Sequence, residues 1–160
     1  MSNEVSGEDL IAPYRRNGSL SGRCLCGGVA IEIAGDYVAA VGVCHCKMCQ
    51  RWNGTMFGGF VAAADAVTIT GDVVRHASST FSERAFCATC GSHVFLRNTG
   101  PDEQEIELFP GLFDDAQDFP LVSEIYIDRA PHYAPLAGDH PRRTRAEYES
   151  KELFVEGDNP

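Results

Sequence analysis

The chain lacks the features that mark several large classes of protein. It has no run of about 18 or more apolar residues, so no membrane-spanning helix is expected. The segment from Met1 to Pro13 is acidic and polar, with no basic start followed by an apolar stretch, so no secretory signal is expected there. Positive charge is scarce: 13 Lys and Arg stand against 23 Asp and Glu, a formal net charge of −10. An acidic chain of this kind is not expected to take nucleic acid as its main partner. There is no Gly-rich phosphate loop leading into a helix, and no internal repeat beyond clusters of cysteine. These absences together predict a cytoplasmic address. Thiols stay reduced there, which favours metal binding over disulfides.

What is present fits one domain with its own core, at 160 residues and 44% hydrophobic composition. The charge is unevenly spread. Residues 15–97 carry eight Lys or Arg and five Asp or Glu, whereas residues 98–160 carry five and fifteen. The mildly basic part holds all the cysteines and suits a small anionic substrate. The acidic ends read equally well as solvated surface.

Hydrophobic periodicity predicts strands almost throughout. Val29, Ile31 and Ile33 alternate with small or polar residues. An apolar run from Tyr37 to Val43 leads into Cys44, and Lys47 to Trp52 reads as a single helical turn. Met56 to Ala62 follows as a strand in which Gly58-Gly59 signals a bulge or a close backbone approach. Val67 to Ile69, Val73 to His76, Thr80 to Phe86, His93 to Arg97, Glu105 to Phe109 and Glu124 to Asp128 continue the series. Asn17-Gly18 and Gly71-Asp72 read as turns. A late helix is expected over Thr144 to Leu153, with Thr144 and Glu147 at capping-box spacing. Pro131 to Pro141 reads as an ordered surface loop. Short strands with Gly-rich turns imply a mainly β, mostly antiparallel architecture with little helix.

Seven cysteines fall in three clusters: Cys24-Leu-Cys26, Cys44-His-Cys46-Lys-Met-Cys49 and Cys87-Ala-Thr-Cys90. Glycine follows the first and last clusters, as in zinc knuckles whose backbone amides point at thiolates. Joined, these two half-sites would tie distant strands to one ion and contribute folding energy. Cys44, Cys46 and Cys49 would most naturally hold a second ion and leave its fourth position open. Three thiolates weaken zinc's pull on water but suit an incoming thiol, so sulfur chemistry is favoured over peptide hydrolysis. Alternation turns His45 away from its cysteine neighbours, towards a core or supporting role. His93 is the better candidate for a fourth ligand. Thioredoxin-type chemistry lacks its βαβ setting, and none of the common iron–sulfur spacings is present.

Three motifs in order carry a specific resemblance: Gly22-Arg-Cys24-Leu-Cys26-Gly-Gly-Val, then Cys44-His-Cys46-Lys-Met-Cys49-Gln-Arg-Trp-Asn-Gly54, then Ser78-Ser79 ahead of Arg84-Ala-Phe86-Cys87-Ala-Thr-Cys90-Gly91-Ser92. Roughly residues 19 to 135 resemble the glutathione-dependent formaldehyde-activating family, also called the centromere-protein-V/GFA domain family. The resemblance implies a zinc-bound, antiparallel, Mss-four-like fold. Residues 1–18 would be a flexible lead-in, 19–135 the zinc domain and 136–160 an extension with a short helix. It implies two zinc ions: a structural one on Cys24, Cys26, Cys87 and Cys90, and a catalytic one on Cys44, Cys46 and Cys49. It also implies a carbon–sulfur lyase that joins a small thiol such as glutathione to formaldehyde, reversibly, as an S-hydroxymethyl adduct. Lys47, Arg51 and Arg84 are candidates to pair with substrate carboxylates. Trp52, Phe57 and Phe60 are candidate pocket walls. Two rival readings are a non-catalytic zinc module that binds a protein partner and a sensor of thiols or electrophiles. The sequence sets no oligomeric state.

Overall fold

The computed structural model describes residues 6–152. It opens on the short helix α1 (Gly7–Ile11), whose N-cap Ser6 and residue Asp9 form a reciprocal capping box. Strands β1 (Arg15–Arg23), β2 (Ala30–Val38) and β3 (Val41–Cys44) follow, then helix α2 (Lys47–Asn53). Next come β4 (Phe57–Ala63), β5 (Val67–Thr70), β6 (Val73–Ala77), β7 (Ser82–Cys87), β8 (His93–Asn98) and β9 (Glu105–Leu108). The chain closes with β10 (Leu121–Ile125), β11 (Arg142–Arg143) and helix α3 (Arg145–Glu149). The mainly β expectation is borne out.

Along its main path the sheet runs β11-β10-β3-β4-β9-β8-β7-β6. β2 pairs with β1, β4 and β5 on a branch from that path. Most pairings are antiparallel, as expected, but β10 runs parallel to β3 and to β11. The parallel strand reaches β3 from a long connection after β9, so no hairpin constrains its direction.

Asn17-Gly18 lies within β1 rather than in a turn. Asn17 faces Asp36 in register and donates its Nδ2 hydrogen to Asp36 Oδ1 at 2.6 Å, while Gly18 faces Gly35. Tertiary pairing with β2 outweighs the local turn preference. The late helix is shorter than its expected span, which ran on to Leu153 outside the described residues. Its capping box is present: the Glu147 amide donates to Thr144 Oγ1 at 3.3 Å, and the Thr144 amide to Glu147 Oε2 at 2.7 Å.

Three apolar clusters hold the fold. The largest joins Ile31, Ile33, Phe60, Phe95, Leu108 and Phe113. Phe60 meets the Phe113 ring edge-on with centroids 5.3 Å apart. Each such buried side chain contributes about 1.5–3 kcal/mol. Cys24 and Cys87 belong to this cluster. A second, smaller cluster contains Cys46, Cys49, Phe57, Leu96 and Tyr126. The third packs Ile11 of α1 against Val38, Ala40 and Val122. The two sulfur groups are thus rooted in different parts of the interior.

Candidate active site

The knuckles form where the chain must reverse immediately after a cysteine pair. Gly27 and Gly91 take φ of 77° and 76°, the left-handed region open to glycine at no steric cost. Each turns its amide back on the first cysteine of its pair, Gly27 to Cys24 O and Gly91 to Cys87 O. Beyond the first turn, the amides of Gly28 and Val29 point at Cys26 Sγ and Cys24 Sγ, at 3.4 and 3.2 Å. Ser92 stitches the knuckles together: its Oγ accepts from the Leu25 amide at 3.0 Å and lies 3.2 Å from Cys90 Sγ.

All four sulfurs of Cys24, Cys26, Cys87 and Cys90 lie within 4.8 Å of one another. Cys24 and Cys26 are separated by 3.5 Å at sulfur, and Cys26 and Cys87 by 3.8 Å. A tetrahedral ion with metal–sulfur bonds of about 2.3 Å spaces its ligands by roughly 3.8 Å. The donor set fits zinc. The thiols also divide protons as a crowded anionic site does. The Ser92 hydroxyl holds Cys90 down to about 5. The Gly28 amide favours a thiolate at Cys26, yet Cys24 and Cys90 push that thiol up to about 11. A divalent cation removes such mutual repulsion.

Cys44, Cys46 and Cys49 form the second group, again with all sulfurs within 4.8 Å. Cys44 ends β3, Cys46 is the N-cap of α2, and Cys49 lies in that helix's first turn. The Cys49 amide donates to Cys46 Sγ and the Cys46 amide to Cys44 Sγ, each at 3.4 Å. A sulfur therefore takes the capping role usually given to Ser or Asp, and the helix start points its free N–H groups at the cluster. Contacts from Cys44 and Cys49 hold Cys46 down to about 3, while Cys46 and Cys49 raise Cys44 well above a free thiol. Both groups could hold a metal ion, and their chemistry is consistent with zinc.

The loop between these ligands is bolted from behind. His45 is fully buried, and its Nε2 pairs with Glu124 Oε1 at 2.7 Å. The other Glu124 oxygen takes His140 Nε2 at 2.6 Å and Arg142 Nε at 2.9 Å. Burial alone would raise the Glu124 carboxyl, but the bonds from His140 and His45 hold it below its ordinary range. Gln50 Nε2 donates to the carbonyls of His45 and Arg129, at 2.6 and 2.8 Å. His45 thus has the supporting position that alternation indicated. His93 does not join the sulfurs: its Nδ1 pairs with Asn53 Oδ1 at 2.7 Å and its ring packs on Trp52.

The three sulfurs open on a cavity of about 270 Å³. Phe57 and Phe60 line it, as expected; Trp52 does not. Trp52 instead stacks on His76 and lies 5.7 Å from the Arg84 guanidinium. Of the three candidate cations, Arg84 lines the cavity, whereas Lys47 and Arg51 point outward. Arg84 donates its Nε to Ser78 Oγ at 3.2 Å and its Nη2 to Cys49 Sγ at 3.6 Å, which gives Ser78 of the third motif a physical role. The cavity also contains Glu107, which the sequence reading missed. Its alternating strand carried no signal that sets it apart from other acids, since the pairing of β9 with both β4 and β8 is what turns it to the cavity.

A mainly β domain with a four-sulfur set across two knuckles and a three-sulfur set at a cavity defines a class of cysteine-rich domains whose clusters could hold metal ions. Residues 19–129 match the model described as glutathione-dependent formaldehyde-activating enzyme, and the chain belongs to that family. A protein of Schizosaccharomyces pombe named an uncharacterized lyase is 28% identical over 112 residues, covering 69% of this chain and 80% of the relative. The crystal structure of a Rhodobacter sphaeroides protein superposes with a TM-score of 0.50 at 20% identity. That match covers 64% of this chain and all of the other, and it supports the fold. Among the described residues, no helix is long and apolar enough to cross a membrane.

Proposed function

We propose that the protein is a zinc-dependent carbon–sulfur lyase that forms or cleaves an S-hydroxymethyl-type adduct of a small thiol and a carbonyl compound. Glutathione and formaldehyde are the pair the family name suggests. The observation that carries this reading is the position of Cys44, Cys46 and Cys49 at the cavity, within one 4.8 Å group that offers three sulfurs and, among the described residues, no fourth Cys, His, Asp or Glu ligand. Cys44, Cys46 and Cys49 would hold the zinc, which would supply Lewis acidity favouring a substrate thiol in its thiolate form. Cys24, Cys26, Cys87 and Cys90 would hold a second zinc as a staple.

The remaining work falls to the chain itself. Phe57, Leu96 and Tyr126, packed around the cysteines, exclude bulk water from the sulfur cluster. The His45–Glu124–His140 bolt fixes the loop that presents Cys44 and Cys46. Arg84 supplies positive charge beside Cys49, which favours an anionic sulfur in the cavity. A pocketed cluster favours an enzyme over a protein-interaction module, whose contact surface would lie on the outside. The reading is tested by following exchange of carbon-13 formaldehyde with its glutathione adduct. Zinc-loaded protein is expected to accelerate exchange well above the spontaneous rate. No acceleration with glutathione or any small thiol would contradict it.

A further inference from the structure

The cavity holds two charged side chains that neither sulfur set explains, and strand register brings them together. Cys44 faces Phe57, Val61 faces Glu107, Glu107 faces Leu96, and Leu96 faces Arg84. Directly opposed residues share a face of a sheet, as do alternate residues along a strand. Cys44, Gly59, Glu107 and Arg84 therefore lie on one face, and all four line the cavity.

Arg84 is 2% exposed, and its Nη1 has no hydrogen-bond partner among the described residues. A buried guanidinium hydrogen left unmet is a cost to the fold, and one that a bound oxygen atom would remove. The Glu107 carboxylate, unlike its ladder-paired backbone, makes no hydrogen bond or ion pair among the described residues. Its carboxylate sits over Gly59, where a Cβ would come within 3.3 Å of Oε2. A side chain at position 59 would occupy this space. Burial pushes the Glu107 carboxyl up to about 7, with Arg84 opposing and Glu105 adding to the shift. Besides Arg84, the other titratable groups on the cavity wall are Cys44 from β3, Cys46 at the N-cap of α2, Cys49 within α2, Tyr126 just after β10 and Tyr148 from α3. β4, β8 and β10 present Val61, Leu96 and Ile125 there. A cavity of about 270 Å³ is small for a ligand site, where about 300–1,000 Å³ is usual, and suits the reacting end of a thiol with a small aldehyde.

We infer that Glu107 transfers the proton of this site and that Arg84 Nη1 receives the carbonyl oxygen of a small aldehyde. This rests on the lyase reading above. In the forward direction the substrate sulfur donates an electron pair to the carbonyl carbon and a carbon–sulfur bond forms. The carbonyl π pair moves to oxygen, which takes the proton of the Glu107 carboxylic acid while Arg84 Nη1 donates a hydrogen bond to it. In reverse, the Glu107 carboxylate takes the hydroxyl proton, the carbonyl re-forms, and the carbon–sulfur pair leaves on sulfur. Nothing is oxidised or reduced: the proton that the thiol loses to solvent on becoming a thiolate is balanced by the one that the Glu107 carboxylate regains from solvent after the transfer.

The test is the zinc-loaded Glu107→Gln variant, with carbon-13 formaldehyde and glutathione exchange followed by NMR from pH 5.5 to 8.5 (about the range flanking the carboxyl's shifted value). Expected is a loss of about 100-fold or more in catalysed exchange. The rise of adduct cleavage through neutral pH, present in the wild type, should vanish. Zinc content and melting temperature should be unchanged or higher, since an unpaired carboxyl is removed. In parallel, carboxyl carbon-13 shifts of the wild type should show a glutamate titrating near neutrality, a readout that does not depend on the variant's folding. An active wild type with an equally active Glu107→Gln, or no such titration, would overturn this inference alone. A variant that loses stability in step with its rate would also overturn it, by making Glu107 structural. A wild type that accelerates nothing would overturn the lyase reading, and this inference with it.

Discussion

The four-sulfur and the three-sulfur groups differ in the opposite sense from what exposure suggests. In the four-sulfur set Cys24 and Cys87 are buried, Cys90 half-buried and Cys26 exposed, whereas in the three-sulfur set Cys46 and Cys49 are buried and Cys44 half-buried, with no exposed member. Yet the set with the exposed member offers four sulfurs, and the set without one offers three. Openness for chemistry is thus set by ligand number and by a cavity rather than by access to bulk solvent. The groups also differ in reach. Cys26 and Cys87 are 61 residues apart and join β1 to β7 beside the main core. The three-sulfur group spans a few residues and closes no long loop, so it can be altered with little cost to the fold.

The sharpest break in that contrast is the knuckle variant Cys90→Ser. A structural zinc site contributes about 10–16 kcal/mol in small peptides, which exceeds or matches the roughly 5–15 kcal/mol of a typical domain. Loss of one zinc together with dispersed amide resonances is expected. A Cys90→Ser protein that stays folded at wild-type stability would erase the distinction. Cys46→Ser should do the reverse: one zinc lost, near-wild-type melting, and at least about a 100-fold fall in catalysed exchange. Calorimetry and metal analysis on the same sample separate the two outcomes.

Gly59→Ala has a smaller effect and acts on the cavity alone. Its Cβ would meet Phe57 ring atoms at 2.6 and 2.7 Å. Overpacking of this kind costs about 1–3 kcal/mol. A urea titration should show that loss with zinc content intact, and exchange should fall as the cavity narrows. Unchanged stability and rate would mean that the space over Gly59 is not used.

The smallest effect is a slope. Glu107 keeps its proton to about pH 7 in the folded chain, against an unfolded value of 4.5. The folded state then binds more protons than the unfolded one between those values. Its contribution is full below 4.5 and is lost as pH rises to 7. Wild type minus Glu107→Gln stability should therefore decline across that window. A flat or rising difference would remove Glu107 from its apolar setting.

How much of this was legible in the sequence follows from how local each feature is. The cysteine clusters, the α2 turn and the Thr144 capping box are set by neighbours a few residues apart, and all three could be read directly. The division into four and three was visible too, because glycine flanks two clusters and not the third. Glu107 was not legible. Glu105-Ile106-Glu107-Leu108 reads as an ordinary half-buried strand with its acids facing water. Only the pairing of β9 with both β4 and β8 turns that polar face towards Cys44 and Arg84. Asn17-Gly18 failed for the same reason: a local turn signal lost to β2 pairing across the sheet. The parallel entry of β10, which brings Glu124 beneath His45, likewise has no local signature.

Zinc counted per chain during stepwise chelation tests the central division most directly. The account predicts two zinc ions, with a mild chelator removing one and abolishing catalysed exchange while the amide spectrum keeps its dispersion. Only harsher treatment should remove the second, and unfolding should accompany it. A single tightly held zinc, or two that leave together as the chain unfolds, would contradict it.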